Sequence, residues 1–282
     1  MRMCYLLGYP LEHSLSPLMH NTAFRTLGLE YRYEAKPLKP HELEPFVQRV
    51  LRSPDTAGGN VTMPYKEKII RLLDELDVEA SEIGAVNTVV NVDGRLRGYN
   101  TDGPAALRAL KEAYGPLSGV RAVVLGAGGA ARAVVYHLCR EASSITVLNR
   151  TPGRALRIVE DASRWGGCPV SWAPLTPESL SRYLSEADVL VNATPVGMYP
   201  NVSETPVPKH FLRSDMLVFD VVYNPPKTRL LREAEEVGAK TVSGVLMFVY
   251  QGAEAFRLWT GVPAPVEVMM RTVMEALGCV GT

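Results

Sequence analysis

RAVVLGAGGAARAVVYHLCREASSITVLNR, residues 121–150, runs from an apolar stretch through a glycine-rich turn and a helical pattern into a second apolar stretch. Strand, turn, helix and strand in that order make a βαβ unit, and a crossover helix commits its two strands to parallel pairing. Gly126, Gly128 and Ala131 fit the spacing GxGxxG/A at the strand-to-helix turn. The first glycine permits a tight turn, the second lets the backbone approach a pyrophosphate, and the small third residue keeps helix and strand close. The helix N-terminus adds amide donors and positive potential. A glycine turn that merely joins strand to helix is the competing reading.

The end of the second strand selects the nucleotide. An acidic side chain there would bind the ribose 2′-hydroxyl of NAD, but the residues are Asn149, Arg150 and Thr151, with Arg154 following. Two guanidinium groups match a 2′-phosphate in fork geometry. Thr151 before Pro152 reads as an N-cap and first helical residue, so the phosphate could rest on a second helix N-terminus. NADP is favoured over NAD, the alternative being that both arginines are ordinary surface charges.

Outward from this unit, short apolar runs alternate with helical patterns, the rhythm of an α/β protein with largely parallel strands. ADVLVNATP (187–195) and MLVFDVVYNPP (216–226) read as buried strands ending in polar turns, and KTVSG (240–244) as a last short strand. Helical patterns from about Gly244 to Trp259 and from about Pro265 to Leu277 close the chain. The first hundred or so residues carry their own strands and helices. We expect two α/β domains: residues 1–103, to which 242–282 return, and a doubly wound dinucleotide-binding domain over 104–241.

Composition agrees. A length of 282 residues suits two domains, and 46% hydrophobic with 21% charged residues suits a globular protein. The 30 basic and 30 acidic side chains cancel, which removes the electrostatic footprint of a nucleic-acid binder. Cys4, Cys139, Cys168 and Cys279 include no CxxC pair, and the five histidines show no metal-ligand spacing. Reduced thiols and no metal site are expected. The apolar run Met3 to Leu7 is interrupted by Gly8 and Pro10, too short for a signal peptide, and no later window reaches a membrane span. A cytoplasmic protein is expected.

Four further segments carry chemistry. In NVTMPYKEKI (60–69), Pro64 predicts the start of a helix through Ile69, Ile70, Leu72, Leu73 and Leu76. Lys66 then falls in its first turn, where a cation is disfavoured by roughly 0.3 to 1 kcal/mol. VNTVVNVDGRLRGYNTDG (86–103) predicts a hairpin turning at Asp93 and Gly94 with paired residue numbers summing to 187. Asn87 then lies opposite Asn100, with Asp102 diagonal to it. In HSLSPLMHN (13–21), Ser16 reads as an N-cap before Pro17, and Ser14 and Ser16 can offer two hydroxyls to one carboxylate. In GVLMFVYQGAEAF (244–256), Gly244, Met247 and Gln251 share one helical stripe. Gln251 is the better site candidate there, and Met247 reads as core.

The ordered set SLS (14–16), NVTMPYK (60–66), Asn87, NTDG (100–103), GAGGAAR (126–132), NRT (149–151), NATPVGM (192–198), YNP (223–225) and GVLMFVYQ (244–251) resembles the shikimate dehydrogenase family over nearly the whole chain. The resemblance implies a two-domain enzyme that reduces 3-dehydroshikimate to shikimate with NADPH. It implies Lys66 and Asp102 as the catalytic pair and Ser14, Ser16, Thr62, Asn87, Tyr223 and Gln251 as the substrate set. For NADP it implies Gly126, Ala127, Gly128, Gly129, Ala130, Asn149, Arg150, Thr151 and Arg154, with Thr194, Val221, Gly244 and Met247 toward the nicotinamide. Ala131 stands where many relatives carry serine, a small departure. Opposite charges about 4 Å apart attract by roughly 4 kcal/mol at an effective dielectric near 20, so an Asp102 partner would outweigh a helix-end penalty on Lys66. The partners expected are a small-molecule substrate, no nucleic acid and no membrane, in a monomer or homodimer. A quinate or dual quinate/shikimate enzyme and a non-catalytic NADPH-sensing regulator are the rival readings.

Overall fold

In a computed structural model of the chain, which describes residues 1–279, Asp93 and Gly94 take positive φ values of 51° and 84°. Two successive left-handed residues make a type I′ turn, whose twist matches the strands it joins. Pairing runs from Val92 opposite Arg95 to Thr88 opposite Tyr99, the register that the sequence predicts.

This hairpin belongs to the first of two compact units, Met1–Thr101 together with the residues from Val249 onward. Its strands are β1 (Arg2–Gly8), β2 (Tyr31–Pro37), β3 (Thr56–Val61), β4 (Glu75–Leu76), β5 (Thr88–Val92) and β6 (Arg95–Tyr99). They form one mixed sheet in the order β2-β1-β3-β5-β6-β4. Gly58 in β3 has φ 147°, and a Cβ there would stand 2.0 Å from the Val89 carbonyl oxygen, so only glycine lets β3 lie this close to β5. Leu7, Val61, Tyr65, Ile69, Val89 and Leu96 share one buried cluster. The helices here are α1 (Ser16–Thr26), the short α2 (Leu43–Phe46) and α3 (Val78–Ile83), the last capped by the Asp77 carboxylate accepting from Glu79 N.

Two local expectations fail. No α-helix runs from Pro64 to Leu76: the segment is a series of turns, a 3₁₀ stretch over Ile69–Leu72, and then β4. The Lys66 carbonyl oxygen accepts from Val86 N at 2.8 Å, and Leu73 is extended with ψ 155°. Tertiary pairing thus takes the backbone groups that a helix would need, and Ile69 and Leu72 reach the core without it. Lys66 therefore bears no helix-dipole penalty. Nor is Ser16 an N-cap. Leu15 holds that position with helical φ and ψ, and Ser14 Oγ, one turn residue earlier, accepts from Ser16 N at 3.3 Å. Ser14 Oγ thus meets the amide of Ser16, the first helical residue, where Ser16 itself was expected to be the cap.

The second unit is Asp102–Phe248. Its strands β7 (Arg121–Leu125), β8 (Ser144–Asn149), β9 (Val170–Pro174), β10 (Val189–Asn192), β11 (Leu217–Asp220) and β12 (Lys240–Val242) pair in parallel in the order β12-β11-β10-β7-β8-β9. Counted from β7, this is the 3-2-1-4-5-6 order of a doubly wound dinucleotide fold. The direction of winding reverses between β7 and β10, the place where such folds bind ligands. Connecting helices are α4 (Asp102–Tyr114), α5 (Gly129–Leu138), α6 (Pro152–Trp165), α7 (Pro177–Leu184) and α8 (Arg229–Glu236). The units divide at Thr101/Asp102 and at Phe248/Val249, where Gly103 and Thr241 were expected. The second division falls inside α9 (Gly244–Thr260), and α10 (Val266–Ala276) packs on α1. Among the described residues no helix is long and apolar enough to cross a membrane.

At the ends of β10 and β11 sits a buried polar pair. The Asp220 carboxylate accepts from Asn192 Nδ2 (2.9 Å), Val222 N (3.0 Å) and Thr228 Oγ1 (2.7 Å). Burial pushes its carboxyl up to about 6, and the hydrogen bonds offset only part of that. A carboxyl whose folded pKa is raised from 3.8 contributes stability that is fully present below that value and is lost as pH rises through about 6. The loss amounts to about 3 kcal/mol. Buried His20 and His137, lowered to about 3 and about 4, act with the opposite sign, stabilising above their unfolded pKa and weakening the fold in acid. The test is therefore a difference. In Asp220→Asn, Oδ1 still accepts and the new amide donates to Thr228. Urea midpoints at pH 4 and pH 7 should show the variant gaining on the wild type by up to about 3 kcal/mol as pH rises. A constant gap would mean that Asp220 does not titrate in this range.

Candidate active site

Within the second unit, the reversal between β7 and β10 is lined by two turns. Gly126 has φ 100°, and a Cβ there would stand 3.0 Å from Ala193 O and 3.1 Å from Thr194 Cγ2, so the GAGG and NATP turns touch through a glycine. Gly128 is the N-cap of α5, and a Cβ on it would meet nothing within 4 Å. There is open space beside Gly128, Gly129 and Ala130 of the first turn are half-buried, and Ala127 and Ala131 are buried. This is a cradle of donors at a helix N-terminus, suited to a pyrophosphate.

At the end of β8, Asn149 Nδ2 donates to Thr151 O at 2.8 Å, which fixes the turn into α6. Thr151 is the N-cap, without a side-chain hydrogen bond, and Pro152 follows as expected. Arg150 and Arg154 are exposed beside this N-terminus, and neither is ion-paired among the described residues. Arg132, by contrast, is held by Asp161 at 2.5 Å. Two uncommitted guanidinium groups at a helix N-terminus, with no carboxylate, fit the 2′-phosphate of NADP.

Thr194 is oriented from below. Its N and Oγ1 both donate to Asn192 Oδ1, at 3.0 and 2.6 Å, and Asn192 is anchored by Asp220. Val221 N donates to the Asn192 carbonyl at 2.9 Å. Gly244 opens α9 so close to this strand end that a Cβ would stand 2.5 Å from both Val221 O and Val222 O. Met247 is buried on the same helix, and Tyr223 stacks on Phe248 at 4.1 Å between ring centroids. Thr194, Val221, Tyr223, Gly244 and Met247 thus gather beyond the ends of β10 and β11. Asp102, also in this unit, is the first residue of α4 and is buried.

The first unit brings together the remaining candidates. Thr62 N donates to Leu7 O and Thr62 O accepts from Tyr65 N, which pins Thr62 where β1 and β3 end. The bonds Val61 N to Asn87 O and Val86 N to Lys66 O, both 2.8 Å, lock the Thr62–Lys66 turn against Asn87. Asn87 Oδ1 accepts from Thr101 N at 2.7 Å, and its Nδ2 donates to Thr101 Oγ1 at 2.9 Å and Gln251 Oε1 at 3.3 Å. Gly252, next to Gln251, lies against Met19 and His20 of α1, the helix that begins at Ser16. Lys66 and Gln251 are half-buried, and Asn87 and Ser16 are buried. The amides of Asn87 and Gln251 and the Thr101 hydroxyl meet here, groups that can satisfy hydroxyls or a carboxylate.

The reading from sequence missed Asp220 and its partner Thr228, although an acid closing the apolar run LVFD was a visible signal. It also missed Tyr33, Asn60, Thr88 and Thr101, whose role depends on contacts far apart in the chain.

Family models match three consecutive stretches: "Shikimate dehydrogenase substrate binding domain" over residues 6–89, "Shikimate / quinate 5-dehydrogenase" over 108–226 and "Shikimate 5'-dehydrogenase C-terminal domain" over 244–274. The shikimate dehydrogenase (NADP(+)) of Methanopyrus kandleri is 52% identical over 275 residues, covering 96% of this chain and 94% of that protein. That of Thermococcus kodakarensis is 49% identical, covering 98% and 97%. A crystal structure of the Thermus thermophilus shikimate 5-dehydrogenase in complex with NADP(H) and shikimate aligns with a TM-score of 0.85 at 42% identity, covering 98% of this chain and all of that one. With its glycine turn and its returning helix each falling inside one of these matched stretches, and with relatives about half identical over nearly the whole chain, the chain belongs to the shikimate/quinate 5-dehydrogenase family.

Proposed function

We infer that the protein is an NADP-dependent shikimate dehydrogenase, an oxidoreductase that reversibly reduces 3-dehydroshikimate to shikimate, a step toward aromatic amino acids. The observation that carries the cofactor choice is the pair of exposed arginines, Arg150 and Arg154, without an ion-pair partner among the described residues, beside the N-terminus of α6. In this reading the second unit is the NADP domain and the first the substrate domain. Every residue assigned to the cofactor, from Gly126 to Met247, lies within the second unit.

NADPH, when bound, supplies the hydride. As the carbonyl carbon gains it, negative charge develops on the carbonyl oxygen. The Lys66 ammonium meets that charge and donates the proton that completes the new hydroxyl, then regains one from solvent. Asp102 accepts from a substrate hydroxyl. Ser14 and Ser16 bind the carboxylate, and Thr62, Asn87, Tyr223 and Gln251 bind the ring hydroxyls and fix which face is reduced. Such groups are selective because a buried donor or acceptor left unpaired is costly. Quinate carries one more hydroxyl beside its carboxylate, so the paired serines favour shikimate. The neutral overall charge and the presence of both Lys66 and Asp102 speak against a regulator. The enzyme works in the cytoplasm, as a monomer or homodimer.

NADPH consumption with 3-dehydroshikimate is the direct test. Turnover should be rapid with NADPH and slow with NADH, and Lys66→Ala should lose roughly 10²- to 10⁴-fold in rate while melting like the wild type. A folded wild type that binds NADPH without turnover would point to the regulator. For the arginines, Arg150→Ala with Arg154→Ala should raise KM for NADPH by roughly 10- to 100-fold and leave KM for NADH within about twofold. Equal losses with both cofactors would remove the 2′-phosphate assignment.

A further inference from the structure

Asn87 is useful to a ligand only in one of its two amide orientations, because rotation by half a turn exchanges donor for acceptor at nearly the same shape. Its surroundings determine which. Thr101 N and Thr88 Oγ1 both stand against Asn87 Oδ1, at 2.7 and 3.2 Å. A backbone N–H has no alternative polarity, but a threonine hydroxyl does. Thr88 Oγ1 donates to Asn87 Oδ1 and accepts from Asn60 Nδ2 at 3.0 Å; Thr101 Oγ1, also 3.2 Å from it, can serve as its second donor, since the Thr101 hydroxyl can give its proton to the remaining Thr88 lone pair.

Asn60 is itself oriented. Tyr33 Oη donates to Asn60 Oδ1 at 2.8 Å, and Asn60 Nδ2 also donates to the Asn87 carbonyl at 3.2 Å. The hydrogen bonds therefore run in one direction, from the Tyr33 hydroxyl through Asn60 and Thr88 to the Asn87 oxygen, and on from the Asn87 amide to Thr101 and Gln251. Tyr33, Asn60, Thr88 and Thr101 are all buried, Thr88 at 0% exposure, so water does not substitute for a missing partner there. A half-satisfied buried network costs more than none, which makes its polarity stiff.

We propose that Thr88 is a positioning residue: its hydroxyl relays the donor direction set by Tyr33 and Asn60 and holds the Asn87 amide with its NH₂ toward Thr101 and Gln251. A substrate hydroxyl oxygen can then take the longer of the two NH₂ bonds, the 3.3 Å one to Gln251 Oε1, in exchange. This rests on the reading of Asn87 as a substrate contact. The Thr88 methyl only fills space, so deleting the hydroxyl at constant shape separates the two functions of the side chain.

Thr88→Val should raise KM for shikimate and lower kcat/KM by roughly 10- to 100-fold, with a smaller change in kcat and KM for NADP⁺ within about twofold. Thr88→Ser, which keeps the hydroxyl, should recover to within about threefold of the wild type. Melting curves establish that each variant is folded at the assay temperature. In parallel, the side-chain NH₂ signals of Asn60 and Asn87 in ¹⁵N NMR spectra report the orientation without any substrate. They should exchange slowly in the wild type and in Thr88→Ser, and shift and exchange rapidly in Thr88→Val. Unchanged NH₂ signals in Thr88→Val, or Thr88→Ser as impaired as Thr88→Val, would overturn the proposal. A wild type without shikimate turnover whose NH₂ signals still depend on Thr88 would overturn the functional reading and leave the orienting role intact.

Discussion

Asn87 is the residue on which the first unit's site turns. Its backbone and side chain are held from two sides: by β3, 26 residues earlier, through Val61 N, and by the end of the second hairpin strand and the turn after it through Tyr99 O and Thr101 N. None of these bonds exists unless the hairpin keeps its register, because a slip of one residue would turn every side chain to the opposite face. The register in turn rests on two residues, Asp93 and Gly94, that accept positive φ. A local turn preference is thus converted into the placement of an amide at the far end of one strand and hydroxyls on both.

The second unit solves a different problem. A parallel sheet leaves its carbonyl-end backbone groups pointing at whatever lies beyond the strands, and function requires that turns there be both open and rigid. Openness comes from glycine: Gly126 and Gly244 allow backbone approaches that any Cβ would prevent. Rigidity comes from the buried Asp220 carboxylate, which holds Asn192, Val222 and Thr228 at once and through Asn192 sets Thr194. A buried charge is a costly way to tie loops, and the raised carboxyl pKa is the record of that cost.

Features coded within a few residues were legible in the sequence. The GxGxxG/A turn, the β8 end with its arginines, the hairpin register and the two closing helices follow from local chemistry, and the structure places them where the residues predict. Asp220 was not legible in its role, because its partners lie 28 residues upstream at Asn192 and 8 downstream at Thr228. Ser16 was misassigned by one position for a related reason. The backbone puts Leu15 at the N-cap with helical φ and ψ and makes Ser16 the first helical residue, a one-residue shift that the S-P pair does not encode. The strand β9 and the helices α7 and α8 carry no feature that the functional motifs single out.

The segment after Pro64 shows where such reasoning breaks. Ile69, Ile70, Leu72, Leu73 and Leu76 fit one helical face, yet the same spacing also serves turns whose apolar side chains all reach one core. Periodicity reports which residues are buried, and only hydrogen-bond accounting reports how. Here the Lys66 carbonyl is claimed by Val86 and the backbone of Glu75 and Leu76 by the sheet, so only isolated turns form, as from Ile69 N to Tyr65 O, and no continuous helix. The consequence reaches the chemistry. In a helix the Lys66 ammonium would sit at an unfavourable dipole; in a turn bonded to the segment that carries Asn87, its backbone is fixed by the hairpin, and one register sets both the amide and the lysine.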